Sequence, residues 1–146
     1  MTDAKSNTLE NAYLALLFNA TSLATLMQNS SASATSVLAV ALHTADPTDA
    51  PTSGQDDNEA TYTGYTRIGV ARNTSGWTVS GSSVHPSTNI TFPQATTGTN
   101  TITHWSVGTS TSTGGTLLYY GTVTPNISVS AGVTPRLTTA TAITES

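Results

Sequence analysis

Three histidines, a run of acids and a few aromatic rings are the side chains whose types and spacing could do chemistry. His43-Thr44-Ala45-Asp46 sets an imidazole near a carboxylate, a pairing that a hydrolase or a metal site needs. No second ligand pair lies nearby in sequence, and no nucleophile occupies a recognised elbow. His43 is therefore expected to tie down the exit from a strand. His104 adjoins Trp105 in an alternating segment, so one faces inward and the other outward, and a hydrogen-bonded packing histidine is expected. His85 precedes Pro86 in a loop and suggests nothing. Symmetry copies of one histidine could converge on an oligomer axis, but no metal or other cofactor is expected.

Asp46, Asp49, Asp56, Asp57 and Glu59 supply oxygen ligands that calcium favours. Their spacing lacks the Asp-x-[Asp/Asn]-x-[Asp/Asn]-Gly order, so a solvated loop is expected. Trp77 and Trp105, with Tyr62, Tyr65, Tyr119 and Tyr120, could stack on sugars, although such rings in a β domain usually serve the core or an interface. Thr-x-Thr triplets at 61–63, 101–103 and 122–124 fall at irregular intervals and cannot build the stacked ranks of a repeat surface. No catalytic residue is assigned, and no enzyme is expected.

The composition limits what can position these groups. The chain has 146 residues, of which 31 are threonine and 18 serine, against four basic and eight acidic residues. Disorder would normally bring higher charge and fewer β-branched and aromatic residues. Threonine is itself β-branched, so an ordered β protein with a nearly neutral surface is the better reading. Lys5, Arg67, Arg72 and Arg136 cannot neutralise a row of phosphates, which excludes backbone-driven nucleic-acid binding as an expectation. No apolar run approaches the roughly 20 residues that span a bilayer, and no basic amphipathic helix suggests a membrane surface. Residues 1–7 lack the basic-then-apolar order of a signal peptide, and there is no cysteine. The lack of cysteine fits cytoplasmic synthesis.

One segment has helical periodicity. Asn7 with Glu10 predicts a capping-box variant, and Leu9, Ala12, Tyr13, Leu16, Leu17 and Ala20 form an apolar face that Leu14 and Phe18 widen. A break is expected near 19–22, with Leu23, Leu26 and Met27 continuing beyond it and a polar linker over 28–35. Strands are expected at 37–42, 67–72, 76–80, 90–92, 101–109, 116–123, 127–129 and 136–143, punctuated by Gly- or Pro-containing turns. The acidic stretch 47–59 is a long surface loop between the first two. The expected fold is mainly β: a β-sandwich or jelly-roll-like domain over 36–146, with an N-terminal amphipathic helix or arm over 1–30.

A set of motifs in fixed order then points to a family. Leu16-Leu17-Phe18-Asn19 is followed by Leu42-His43-Thr44-Ala45-Asp46-Pro47 and by the run from Tyr62 to Arg72, YTGYTRIGVAR. After these come Gly76-Trp77-Thr78-Val79, the run Asn89 to Ala95, the run Ile102 to Thr109, and Gly115 to Gly121. Together they resemble a family of small tailed-phage virion proteins, labelled as tail-fibre-like or as head decoration (cement) proteins. The resemblance implies a virion structural protein. A cement protein on the capsid surface would bind the major capsid protein, self-associate as a homotrimer, and grip its neighbour through Tyr13, Leu16, Leu17 and Phe18. That placement is expected here, because elongated repeats and coiled-coil heptads are absent. The alternatives are a tail-fibre, tail or baseplate component, and a carbohydrate-binding adhesin working through Trp77 or Trp105.

Overall fold

A computed structural model of the chain describes residues 6–22, 35–48 and 54–145. Among the described residues the elements are one helix, α1 (Asn7–Asn19), and nine strands: β1 (Val37–His43), β2 (Ile68–Ala71), β3 (Trp77–Ser80), β4 (Ser83–Pro86), β5 (Ile90–Thr91), β6 (Asn100–Gly108), β7 (Leu117–Val129), β8 (Arg136–Leu137) and β9 (Ile143–Thr144). The strand pairings described by register are antiparallel. The fold is thus mainly β with one N-terminal helix, consistent with the expected β-sandwich. The chain divides into two compact units, each built from separated segments.

The first unit holds α1 together with the three-stranded sheet β3-β4-β9. The helix is capped one residue earlier than its sequence suggests. Ser6, extended at φ −75° and ψ 148°, accepts the Leu9 N–H through its Oγ at 3.3 Å. Serine is as good an N-cap as asparagine, and the Glu10 N–H bonds the Ser6 carbonyl at 3.0 Å. At the other end Ala20 turns left-handed at φ 55°, and the N–H groups of Ala20 and Thr21 both return to the Ala15 carbonyl. The helix ends where a break is expected, and the continuation through Leu23, Leu26 and Met27 lies outside the described residues, as does the 28–34 part of the linker.

The buried line of α1 is Glu10, Leu14 and Phe18, spaced by four, while Leu9 and Tyr13 are 39% and 37% exposed. This reverses the expected order of the two stripes. Phe18 packs edge-on to Trp77, with ring centroids 4.8 Å apart and planes at 67°. The Arg72 guanidinium donates to the carbonyls of Leu16 and Leu17, bringing a cation to the helix C-terminus. At the β3–β4 turn, Gly81 at φ 60° supplies the positive angle of a two-residue hairpin, and its carbonyl accepts from Asn11 Nδ2 at 2.9 Å. The described part of the expected arm is therefore built into a packed unit with β3 and β4.

The second unit holds the four-stranded sheet β2-β1-β6-β7 and the pair β5-β8. Leu38 to His43 are all buried, as the continuous apolar run of β1 requires of an inner strand. Leu38, Val40, Leu42, Phe92, Ile102 and Val107 form the bulk of its core. Two expected strands, 116–123 and 127–129, are one long strand, β7. Pro125 interrupts the pattern in sequence but is tolerated because, among the described strands, β7 lies at the sheet edge. Conversely, the expected strand 136–143 is two short ones, β8 and β9, which pair with different sheets.

Candidate functional site

The second unit contains a buried polar cluster assembled from β1, β6, the returning end of the acidic loop and the turn after β6. The loop comes back antiparallel to the end of β1. The Thr44 N–H donates to the Asn58 carbonyl at 2.8 Å, and the Ala60 N–H to the Leu42 carbonyl at 2.8 Å. This return carries Gln55, Asp56 and Glu59 toward the sheet. Opposite them, β6 presents Ser106 across from Ala41 and His104 across from His43.

His43 closes β1 and is wholly buried. Its Nδ1 lies 2.8 Å from the Asp57 carbonyl, which can only accept, so Nδ1 carries the proton. Nε2 is then the acceptor for the Ser106 hydroxyl at 2.7 Å. Burial holds the imidazole pKa below its usual 6.5, against the opposing pull of the Asp57 carbonyl bond. Gln55 completes the inner layer. Its Nε2 donates to the Ala39 carbonyl at 2.9 Å and to Ser106 Oγ at 3.1 Å. Room for this amide comes from Gly108, where a Cβ would stand 2.3 Å from Gln55 Oε1 and 2.6 Å from its Cδ.

Arg67 forms the outer layer, and its fork is used on every side. Nε and Nη2 donate to the two oxygens of Glu59, each at 2.8 Å, and Nη2 also reaches Asp56 Oδ1. Nη1 meets the carbonyls of Ser110 at 2.9 Å, Ser112 at 2.6 Å and Gly114 at 2.7 Å, and Gln55 Oε1 at 3.3 Å. The Glu59 bond raises the Arg67 pKa further above its usual range, so the guanidinium stays charged. Glu59 also accepts the Tyr65 hydroxyl at 2.8 Å, and that hydroxyl accepts the Leu42 N–H at 3.0 Å. Burial is the main cause of an upward shift in the Tyr65 pKa. Asp56 accepts the Gly114 N–H at 2.7 Å, which fixes the turn after β6 to the acidic loop.

These contacts reassign the residues singled out from sequence. His43 does tie down the end of β1, but its partner is Ser106 rather than Asp46. Asp46 instead accepts the Thr48 N–H at 2.7 Å, and Asp57 accepts the Gly54 N–H at 2.9 Å. Asp49 lies outside the described residues. Glu59, which faces inward, and the half-exposed Asp56 are both paired with Arg67, so the loop is more than a solvated acidic run. Among the described residues no group of three or more His, Asp or Glu side chains could hold a metal ion. His104 bonds Thr103 Oγ1 at 2.8 Å, and His85 Nδ1 lies 3.1 Å from the Pro86 carbonyl.

Of the four expected docking residues, Phe18 is wholly buried in its own unit, Leu16 and Leu17 are half-buried, and Tyr13 is exposed. Trp77 and Trp105 are both buried, so neither offers a face to a sugar, while Tyr120 of the same set is exposed. Sequence spacing marks none of Arg67, Gln55 and Ser106 as site residues, and it marks Tyr65 only as a ring that could stack on sugars. The available signal was an arginine embedded in the Tyr65-to-Val70 run of a chain with only four basic residues.

A family model described as "Podophage GP4 fiber I protein gp80" matches residues 4–144. No curated protein matches the chain.

Proposed function

The chain belongs to the podophage GP4 fiber I protein gp80 family and is a phage virion structural protein; from that premise we propose that it serves as a tail-fibre subunit. The observation that carries this reading is the extent of the family match, residues 4–144, which spans both compact units. It reverses the preference for a head decoration protein drawn from sequence. That preference rested on the absence of elongated repeats and on a helix free to act as an arm, and Leu14 and Phe18 instead root the helix in its own unit.

In this reading the protein works by shape and contact. Its partners are copies of itself and neighbouring tail components. The outward stripe of α1, Leu9 and Tyr13 with the half-buried Leu16 and Leu17, provides apolar surface for one such contact. The cross-braced cluster around Arg67 keeps the loop and the turn after β6 in fixed positions, as a subunit under mechanical load requires. Gold labelling of a tagged chain on intact particles tests the placement. Label at the tail is expected, and label spread over the head would restore the decoration reading.

A further inference from the structure

We propose that Ser106 and Gln55 react with each other to form an intramolecular ester, releasing ammonia, with His43 as the base. The inference goes beyond the fibre reading and holds wherever the protein sits on the virion. All three side chains are wholly buried, and Ser106 Oγ contacts both of the others. Each supplies one component of an acyl transfer. Ser106 Oγ is the nucleophile, and its proton already points at His43 Nε2 over 2.7 Å. The Asp57 carbonyl on Nδ1 fixes the tautomer that leaves Nε2 free to accept that proton. Burial keeps the imidazole neutral and so competent as a base.

The acyl group is the Gln55 carboxamide. Its N–H donates to Ser106 Oγ at 3.1 Å, which sets the oxygen in the amide plane, so the amide must turn about its Cγ–Cδ bond before the oxygen meets the carbonyl carbon face-on. Arg67 Nη1 stands 3.3 Å from Gln55 Oε1, where negative charge gathers as the oxygen attacks. The Ala39 carbonyl, 2.9 Å from Gln55 Nε2, orients the departing amine. Gly108 leaves room for that turn, since a Cβ there would come within 2.6 Å of the amide carbon.

The step balances without any further reactant. The Ser106 Oγ–Cδ bond of the ester forms and the Cδ–Nε2 bond of Gln55 breaks. The hydroxyl proton passes to His43 Nε2 and then to the leaving nitrogen, which departs as ammonia, and nothing is oxidised or reduced. An unactivated amide reacts slowly, but the reaction need occur only once per chain. A site enclosed by protein also protects the product from hydrolysis. The bond would anchor the acidic loop to β6 covalently in a chain that has no cysteine.

Mass spectrometry of the purified full chain tests this. The folded protein is expected to weigh about 17 Da less than its sequence, the mass of one ammonia. Trypsin cuts after Lys5, Arg67, Arg72 and Arg136, leaving Gln55 in peptide 6–67 and Ser106 in peptide 73–136. These two should be recovered joined, and hydroxylamine should separate them. Ser106→Ala should restore the full mass. A wild-type chain of unreduced mass after prolonged folded incubation overturns the proposal, without relying on any variant to fold. So does a reduced mass with the two peptides unlinked, which would place the ammonia loss elsewhere, or a reduced mass that persists in Ser106→Ala.

Discussion

Replacing Arg67 with methionine tests whether the polar cluster holds its unit together or merely decorates it. The guanidinium side chain is 3% exposed and its main partner Glu59 is 17% exposed, so their pairing is little screened by solvent. Asp56, at 50% exposure, is largely hydrated and should add no more than about 1 kcal/mol. Methionine retains much of the stem volume but leaves the Glu59 carboxylate without a counter-charge, which typically costs about 3–5 kcal/mol. The carbonyls of Ser110, Ser112 and Gly114 also lose their donor, although their residues are half-buried or exposed and water can replace it. The cluster's total is therefore set by Glu59, at about 3–5 kcal/mol against a domain stability of about 5–15 kcal/mol. Urea titration followed by tryptophan fluorescence would read this as a lowered midpoint with a similar slope. Arg67→Lys, which keeps the charge but not the fork, should fall between the two. Glu59→Gln added to Arg67→Met should recover part of the loss through the coupling of neighbours. A cost below about 1 kcal/mol for Arg67→Met, or no recovery in the double variant, would refute the reasoning.

Two other outcomes follow from the same contacts. His43 has a folded pKa below 6.5, so on acidification the unfolded chain takes up this proton before the folded chain does. Its contribution is complete above that value and is lost as pH falls below it, with a slope of at most about 1.4 kcal/mol per pH unit; His43→Gln should remove that part of the pH dependence in urea midpoints, and an unchanged profile would count against a neutral buried imidazole. Phe18→Ala should cost about 3–5 kcal/mol and alter the near-ultraviolet signal of Trp77, whereas Tyr13→Ser should shift stability by about 0.5 kcal/mol or less. Equal, small effects from both would mean that the helix behaves as a detachable arm.

The strand pattern was largely legible because periodicity reports local burial. β1, β2, β3 and β6 fall within a residue or two of their expected limits. β4 was missed because Ser83-Val84-His85-Pro86 carries one apolar residue and ends in proline, and its pairing with Trp77–Ser80 depends on the tight turn at Gly81. The helix face is ambiguous in sequence for a different reason. α1 bears two apolar stripes, and sequence alone does not say which one meets Trp77. The buried member, Leu14–Phe18, shares its line with Glu10, and that charge concealed it. The site was least legible, because its residues are scattered from Ala39 to Gly114 and only the return of the loop gathers them. Sequence spacing sets His43 beside Asp46, whereas its hydroxyl partner lies far along the chain in β6.

The scarcity of charge in this chain gives the Arg67 cluster its importance. A surface with few ionisable groups gains little from exposed ion pairs, and their contribution is small in any case. Here one of only four basic residues is placed almost wholly inside, against two of the eight acids. Apolar side chains of similar volume could stabilise the same space equally well. What they could not do is fix two irregular segments, the acidic loop and the turn after β6, at defined positions through seven contacts shared among the five N–H groups of one side chain. Such segments lack a ladder of backbone bonds to hold their register, so a planar multi-donor group is well suited to the task. The same brace holds Gln55 inward against Ser106 and His43, and its loss should therefore reduce the extent of crosslinking as well as stability. If Arg67→Met lowers the urea midpoint but the chain still loses ammonia at the wild-type rate, the cluster stabilises the loop without activating the amide, and the two roles argued for Arg67 must be separated.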